Sequence, residues 1–186
     1  LVMCAGKEDM FEFLEDVVEE MVPLFPGTYF HIGGDESPKE HWEKCPKCQE
    51  RIRKEGLQAK DGHSAEERLQ SYVIGRMEKM LAKHGKKIIG WDEILQGGLS
   101  PDATVMSWQG EEGGIASALQ SHDVIMTPGG NGMYFDHFQG DPKVEPVTIG
   151  GMNTLEKVYN YNPVPDTLVT LNKAHHILGV QCNNWS

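Results

Sequence analysis

Short apolar runs rich in β-branched residues alternate along this chain with stretches of helical period, and that alternation restricts the fold more than any other feature. It argues for parallel strands joined by crossover helices, an α/β fold. Residues 28–32, 87–91, 103–108, 123–127 and 177–181 read as strands. A helix is predicted over residues 7–21, with Phe11, Leu14, Val17, Val18 and Met21 on one face and acids on the other. Pro23 and Pro26-Gly27 stop it. The capping box Ser64-Ala65-Glu66-Glu67 opens a second helix, which runs through Leu69, Tyr72, Val73, Met77, Met80 and Leu81 to Gly85. A small-residue helix is expected over 113–120, with helical turns near 155–158 and 168–173. Leu1-Val2-Met3-Cys4 reads as the tail of an earlier strand. No repeat or inter-domain linker interrupts the pattern.

Composition narrows the partners. With 28 acidic against 17 basic residues the net charge is −11, which repels phosphate backbones and argues against nucleic acid. No apolar run approaches the roughly 20 residues of a membrane span. Four cysteines in 186 residues are too few for a disulfide scaffold. Cys45-Pro46-Lys47-Cys48 is a single C-x-x-C, with His41 four residues upstream and no second pair to complete a structural zinc site. It reads as a thiol pair capping a surface turn, open to oxidation.

The chemistry gathers where strands end. Just past the carboxyl ends stand Asp35-Glu36, Trp91-Asp92-Glu93, Trp108-Gln109, Tyr134 with Asp136, and Trp185. The strand starts carry nothing comparable. In parallel α/β folds, and in (β/α)8 barrels above all, that edge is where sites assemble. Gly33-Gly34 leaves room for a ligand to approach the backbone beside Asp35 and Glu36. Neighbours in extended chain point to opposite sides, so the two carboxylates are suited to two jobs on one ligand. The alternatives are solvated acids after a glycine turn, or a metal-binding pair, which no histidine cluster supports. His31, inside its strand, reads as a core histidine. Three tryptophans at strand ends offer flat apolar faces of the kind that stack on sugar rings and acetamido methyls. Gly129-Gly130-Asn131-Gly132 lacks the Lys-Ser/Thr ending and following helix of a phosphate loop. Carbohydrate is the indicated ligand.

These residues resemble a known family. His31-Ile32-Gly33-Gly34-Asp35-Glu36, with Trp42 six residues beyond the Glu, is similar to the signature of glycoside hydrolase family 20, the β-N-acetylhexosaminidases. Gly90-Trp91-Asp92-Glu93-Ile94, Ser107-Trp108, Tyr134-Phe135-Asp136 and Gly179-Val180-Gln181 to Trp185 match its later strand-end motifs in order. The resemblance implies part of a (β/α)8 barrel, roughly strands four to eight with their helices, so that residues 1–186 form an incomplete catalytic domain. It implies hydrolysis of terminal non-reducing β-linked GlcNAc or GalNAc by a substrate-assisted retaining mechanism rather than the two-carboxylate nucleophile scheme.

Glu36 would be the general acid and base, and Asp35 would orient the 2-acetamido group. Tyr134 would bond the acetamido carbonyl. Trp91, Trp108 and Trp185 would enclose the acetamido methyl and sugar face, and Asp136 would bind a ring hydroxyl. Glu93 is a further binding candidate and Asp92 a supporting one. No metal or cofactor is implied, and the partners would be N-acetylhexosamine-containing glycans. A general acid needs a raised pKa, and a tryptophan wall would supply the desolvation, so Glu36 is expected to be at least partly buried.

Departures carry expectations of their own. The family's first-strand arginine has no counterpart, and its sugar-binding Glu would follow Ser186. A (β/α)8 barrel needs about 250 residues. The chain therefore reads as a fragment, weakly active or inactive in isolation, whose open strand edges favour self-association. Relatives imply a secreted, periplasmic or lysosomal setting. The competing reading is a non-catalytic N-acetylhexosamine-binding relative.

Overall fold

Acidic residues in the first turn and a buried face of Met10, Phe11 and Val18 form helix α1 (Glu8–Met21) in the computed structural model, which describes residues 2–185. Pro23 lies in the 3-10 turn Val22–Leu24 that follows. The chain divides into two compact units, Leu1–Ala103 and Thr104–Ser186.

In the first unit, strand β1 (Tyr29–His31) is followed by helices α2 (Glu40–Lys44), α3 (Pro46–Lys54) and α4 (Ala65–Ala82), and then by strand β2 (Lys87–Trp91). The two strands are parallel, with Tyr29 opposite Lys87 and His31 opposite Ile89. Helix α4 begins as the sequence predicts. The Glu67 N–H donates to Ser64 Oγ at 3.1 Å, and the Ser64 N–H donates to Glu67 Oε2 at 2.7 Å. Its Leu69, Ile74, Met80 and Leu81 are buried. Met10, Phe11 and Met80 form one apolar cluster with Tyr72 and Val73 against it. Over that cluster the Arg76 guanidinium sits 3.9 Å from the centre of the Phe11 ring and donates to Glu8 Oε2 at 3.1 Å.

In the second unit, strands β3 (Thr104–Ser107), β4 (Val124–Met126) and β5 (Ile177–Val180) are parallel, with β4 between the others. Helix α5 (Glu112–Leu119) carries the crossover from β3 to β4, and helices α6 (Leu155–Asn160) and α7 (Asp166–Thr170) precede β5. Ser107 holds the start of α5, its Oγ accepting from the Gly114 N–H at 2.9 Å. A register shift opposite Val124 and Ile125 marks the β4–β5 pairing. The core of this unit gathers Ala118, Val124, Met126 and Leu168.

All five expected strands and the three expected helices are present, each within one or two residues, except that α4 stops at Ala82 rather than 85. Parallel strands with helical crossovers are the arrangement of a (β/α)8 segment. Among the described residues no helix is long and apolar enough to cross a membrane.

Two expectations need correction. Residues 2–4 do not form a strand. The Met3 carbonyl instead accepts from the Trp42 indole N–H at 2.9 Å, and the Cys4 carbonyl accepts from the Lys7 N–H at 3.2 Å, which turns the chain into α1. Leu1 and Ser186, the outermost positions of the sequence reading, lie outside the described residues. The C-x-x-C segment is not a surface turn either. It starts α3, where Pro46 fits the first helical turn because its fixed φ suits it and its missing N–H costs nothing there. Cys48 is 0 % exposed, within a core of Ala5, Trp42, Ile52 and Leu69. All four cysteines are free thiols.

Candidate active site

The first unit presents its two predicted catalytic carboxylates on a tight, left-handed turn rather than on extended chain. Gly33, Gly34 and Glu36 have φ of 73°, 99° and 45°. Strand β1 ends at His31, so the strand rule that adjacent side chains face opposite sides does not govern residues 35 and 36. Glycine is required at 34 twice over. Its φ is unfavourable for any side chain, and a Cβ there would stand 2.6 Å from Ile94 Cγ2. A left-handed non-glycine residue such as Glu36 stores strain, which is commonest at functional positions.

Asp35 and Glu36 are both exposed. This corrects the expectation of a partly buried acid: the turn carries Glu36 past the strand end into solvent, while Trp91 and Trp42 of the same unit are themselves buried. Around the turn lie buried supports. Glu93 is 6 % exposed, and its Oε1 accepts from the Glu36 backbone N–H at 3.4 Å. The Gln70 side-chain amide donates to the Gly34 carbonyl at 2.9 Å and to the Glu93 carbonyl at 3.4 Å. Lys39 in turn bonds the Gln70 side-chain oxygen, the Ser37 carbonyl at 2.9 Å and Gln96 Oε1 at 3.2 Å. Burial lowers the pKa of Lys39, with Glu67, Glu93 and Glu40 opposing.

Gln70 and Lys39 were missed from sequence. Gln70 was the one legible signal, a polar residue on the buried face of α4.

His31 is not a core histidine. Its Nδ1 accepts from the Gly33 N–H at 3.1 Å, and its ring lies 4.7 Å from that of Trp91. Desolvation lowers its pKa, with Asp35 partly opposing, so the ring is held in the neutral form its acceptor role requires. Asp92 is buried beside Glu93 in the 3-10 turn Asp92–Leu95.

The second unit holds Trp108, Gln109, Tyr134, Asp136 and Trp185. The Trp108 and Tyr134 rings are parallel within 7°, with centroids 6.5 Å apart. Asn153 donates to the Gly132 and Tyr134 carbonyls at 2.8 and 2.6 Å, and the Phe135 N–H donates to the Asn183 carbonyl at 2.7 Å. Asp136 is 8 % exposed. Its Oδ1 lies 3.1 Å from His137 Nδ1, and its Oδ2 accepts from the Trp185 N–H at 3.0 Å. The carboxylate thereby anchors the backbone of a residue whose own side chain is 55 % exposed. The structure joins Glu93 to the acid turn, Tyr134 to Trp108, and Asp136 to Trp185.

The catalytic-domain model of glycosyl hydrolase family 20 matches residues 1–186. The chain is 60 % identical over 185 residues to a beta-hexosaminidase of Porphyromonas gingivalis, covering 100 % of this chain and 23 % of that protein. To a beta-hexosaminidase of Vibrio furnissii it is 36 % identical over 177 residues, 94 % of this chain and 28 % of the relative. It also resembles the crystal structure of the GH20 exo beta-N-acetylglucosaminidase from Vibrio harveyi in complex with N-acetylglucosamine. That match has a TM-score of 0.80 and 31 % identity, over 99 % of this chain and 28 % of the other. The chain thus spans about a quarter of the length of these relatives. With the strand-end motifs, the parallel fold and the family match in agreement, this chain belongs to glycosyl hydrolase family 20 and falls within its catalytic domain.

Proposed function

We propose that this chain supplies the acid-bearing part of a retaining β-N-acetylhexosaminidase, which removes terminal β-linked GlcNAc or GalNAc from glycans. The observation that carries the reading is the exposed Asp35-Glu36 pair on its strained glycine turn, in a chain of this family. Glu36 donates its proton to the glycosidic oxygen as the C1–O bond breaks. The carbonyl oxygen of the substrate's own 2-acetamido group attacks C1 from the opposite face, giving an oxazolinium-like intermediate. Asp35 accepts a hydrogen bond from the acetamido N–H, which orients the attack and stabilises the developing positive charge. Glu36, now a carboxylate, removes a proton from the incoming water, and C1 recovers its original configuration.

The sugar itself supplies the cover that Glu36 lacks in the free chain, because seating it expels water and raises the energy of the charged carboxylate. Tyr134 bonds the acetamido carbonyl, and Trp91, Trp108 and Trp185 enclose the methyl and ring face. Asp136 uses its remaining lone pairs for a ring hydroxyl. Glu93 contributes through its bond to the Glu36 backbone. Association with a second chain through exposed strand residues such as Tyr29, Leu178 and Val180 is part of the same proposal. A solely monomeric species in light scattering would remove that part.

The test is the stereochemistry of turnover by the intact protein on an aryl β-N-acetylglucosaminide, followed by proton NMR. The β-anomer is expected first. The α-anomer appearing first would contradict the mechanism, and tight GlcNAc binding without hydrolysis would establish a binding protein instead.

A further inference from the structure

The C-x-x-C segment acquires a third sulfur that the sequence pattern did not reveal. Cys4 Sγ lies 3.6 Å from Cys45 Sγ and 3.7 Å from Cys48 Sγ, and all three sulfurs fall within 4.8 Å of one another. Four ligands at the Zn–S bond length of about 2.3 Å in a tetrahedron stand about 3.8 Å apart, which is close to the spacing seen here. A disulfide would link two of these sulfurs and leave the third unused, whereas one ion engages all three.

The backbone around the sulfurs is built to the same end. A Cβ at Gly6 would stand 2.2 Å from the Lys47 carbonyl carbon, so the loop through Cys4 and Gly6 is pressed backbone to backbone against the start of α3. That contact lets the Gly6 N–H reach Cys48 sulfur, while the Cys48 and Lys47 N–H groups reach that of Cys45. Backbone donors aimed at sulfur favour the thiolate, the form that binds metal. A bound cation would neutralise the thiolates that hold it.

We propose that Cys4, Cys45 and Cys48 form a site for a thiophilic divalent cation, zinc by ligand type. Among the described residues no His, Asp or Glu donor joins the three sulfurs within the same span, so the fourth position goes to water. The ion would tie the chain before α1 to the start of α3, beside the core of Trp42, Ile52 and Leu69. Zinc entry displaces the thiol protons to solvent and involves no redox change.

The test uses the intact protein, purified reduced and without chelator, with Zn2+ alone as the probe and metal content read by mass spectrometry. About one zinc per chain is expected. X-ray absorption should give three sulfurs at about 2.3 Å and one light atom at about 2.0 Å. Cys45→Ser, at a half-buried loop position, should cut zinc content at least tenfold while circular dichroism stays unchanged. Cys182→Ser, at an exposed cysteine outside the cluster, should leave it unchanged. If Cys48→Ala fails to fold, Cys45→Ser still decides. Less than a tenth of an equivalent after titration with Zn2+, wild-type zinc content in Cys45→Ser, or a Cys4–Cys45 disulfide in the protein as isolated would each overturn the proposal.

Discussion

Two carboxylate-bearing regions of this chain are built on opposite plans. After β1, Asp35 and Glu36 are exposed, and the order lies beneath them, in left-handed glycines and in the buried Gln70 and Glu93. In the second unit the buried carboxylate of Asp136 is itself held, by His137 and by the Trp185 backbone. The first plan fixes the backbone beneath the acids and leaves their side chains in solvent. The second spends a lone pair of each oxygen on holding the chain and leaves the rest for a ligand.

The sharpest way to break this contrast is at Asp35. If it were merely a solvated surface acid, Asp35→Asn would change little. On the present account it lowers kcat of the intact protein by about 10²–10³-fold, the scale of one lost transition-state contact, with thermal stability unaltered. Gly34→Ala comes next. Its Cβ would meet Ile94 at 2.6 Å at a positive φ, so we expect about 1–3 kcal/mol of lost stability with reduced turnover, read by thermal unfolding and kinetics.

Asp136→Asn probes the opposite plan. The amide keeps one acceptor, for the Trp185 N–H, and turns a donor toward His137 Nδ1, so that contact survives only if the ring changes tautomer, and the carboxylate charge is lost. A stability loss of about 1–3 kcal/mol is expected, visible in a thermal melt without substrate. Gln70→Ala should cost about 1 kcal/mol and slow turnover several-fold, because the Gly34 carbonyl loses its donor.

The smallest expected effect is that of pH on His31. Its pKa is lowered in the folded chain, so the unfolded chain binds the proton more readily. Its contribution is therefore unimpaired above its unfolded value near 6.5 and declines as pH falls below that. His31→Asn should flatten the acid limb of a melting-temperature profile between about pH 7 and 5.

Much of this was legible in the chain itself, for identifiable reasons. Strands such as Lys87–Trp91 and the capping box at Ser64 are local signals, decided by neighbouring residues. The strand-end motifs are equally readable, because which residues follow the carboxyl end of a strand is fixed by chain order alone. Helices α2 and α3 are hidden because residues 40–54 are mostly charged and show no apolar period long enough to register. Pro46 followed by basic residues in the last turn was the available clue. The partnership of Cys4 with Cys45 and Cys48 spans 41 and 44 residues, and no spacing rule reaches that far. The exposure of Glu36 is not legible, because its position depends on the φ angles of Gly33 and Gly34, which a sequence permits but does not dictate.

The central claim is that Glu36 hands a proton to the departing oxygen, and leaving-group dependence tests it most directly. Glu36→Gln in the intact protein should slow aryl β-N-acetylglucosaminides with basic leaving groups by about 10²–10⁴-fold. Those with strongly acidic phenols, which depart without protonation, should be slowed far less in the step that forms the intermediate. An equal loss across the whole series, or none, would contradict the assignment.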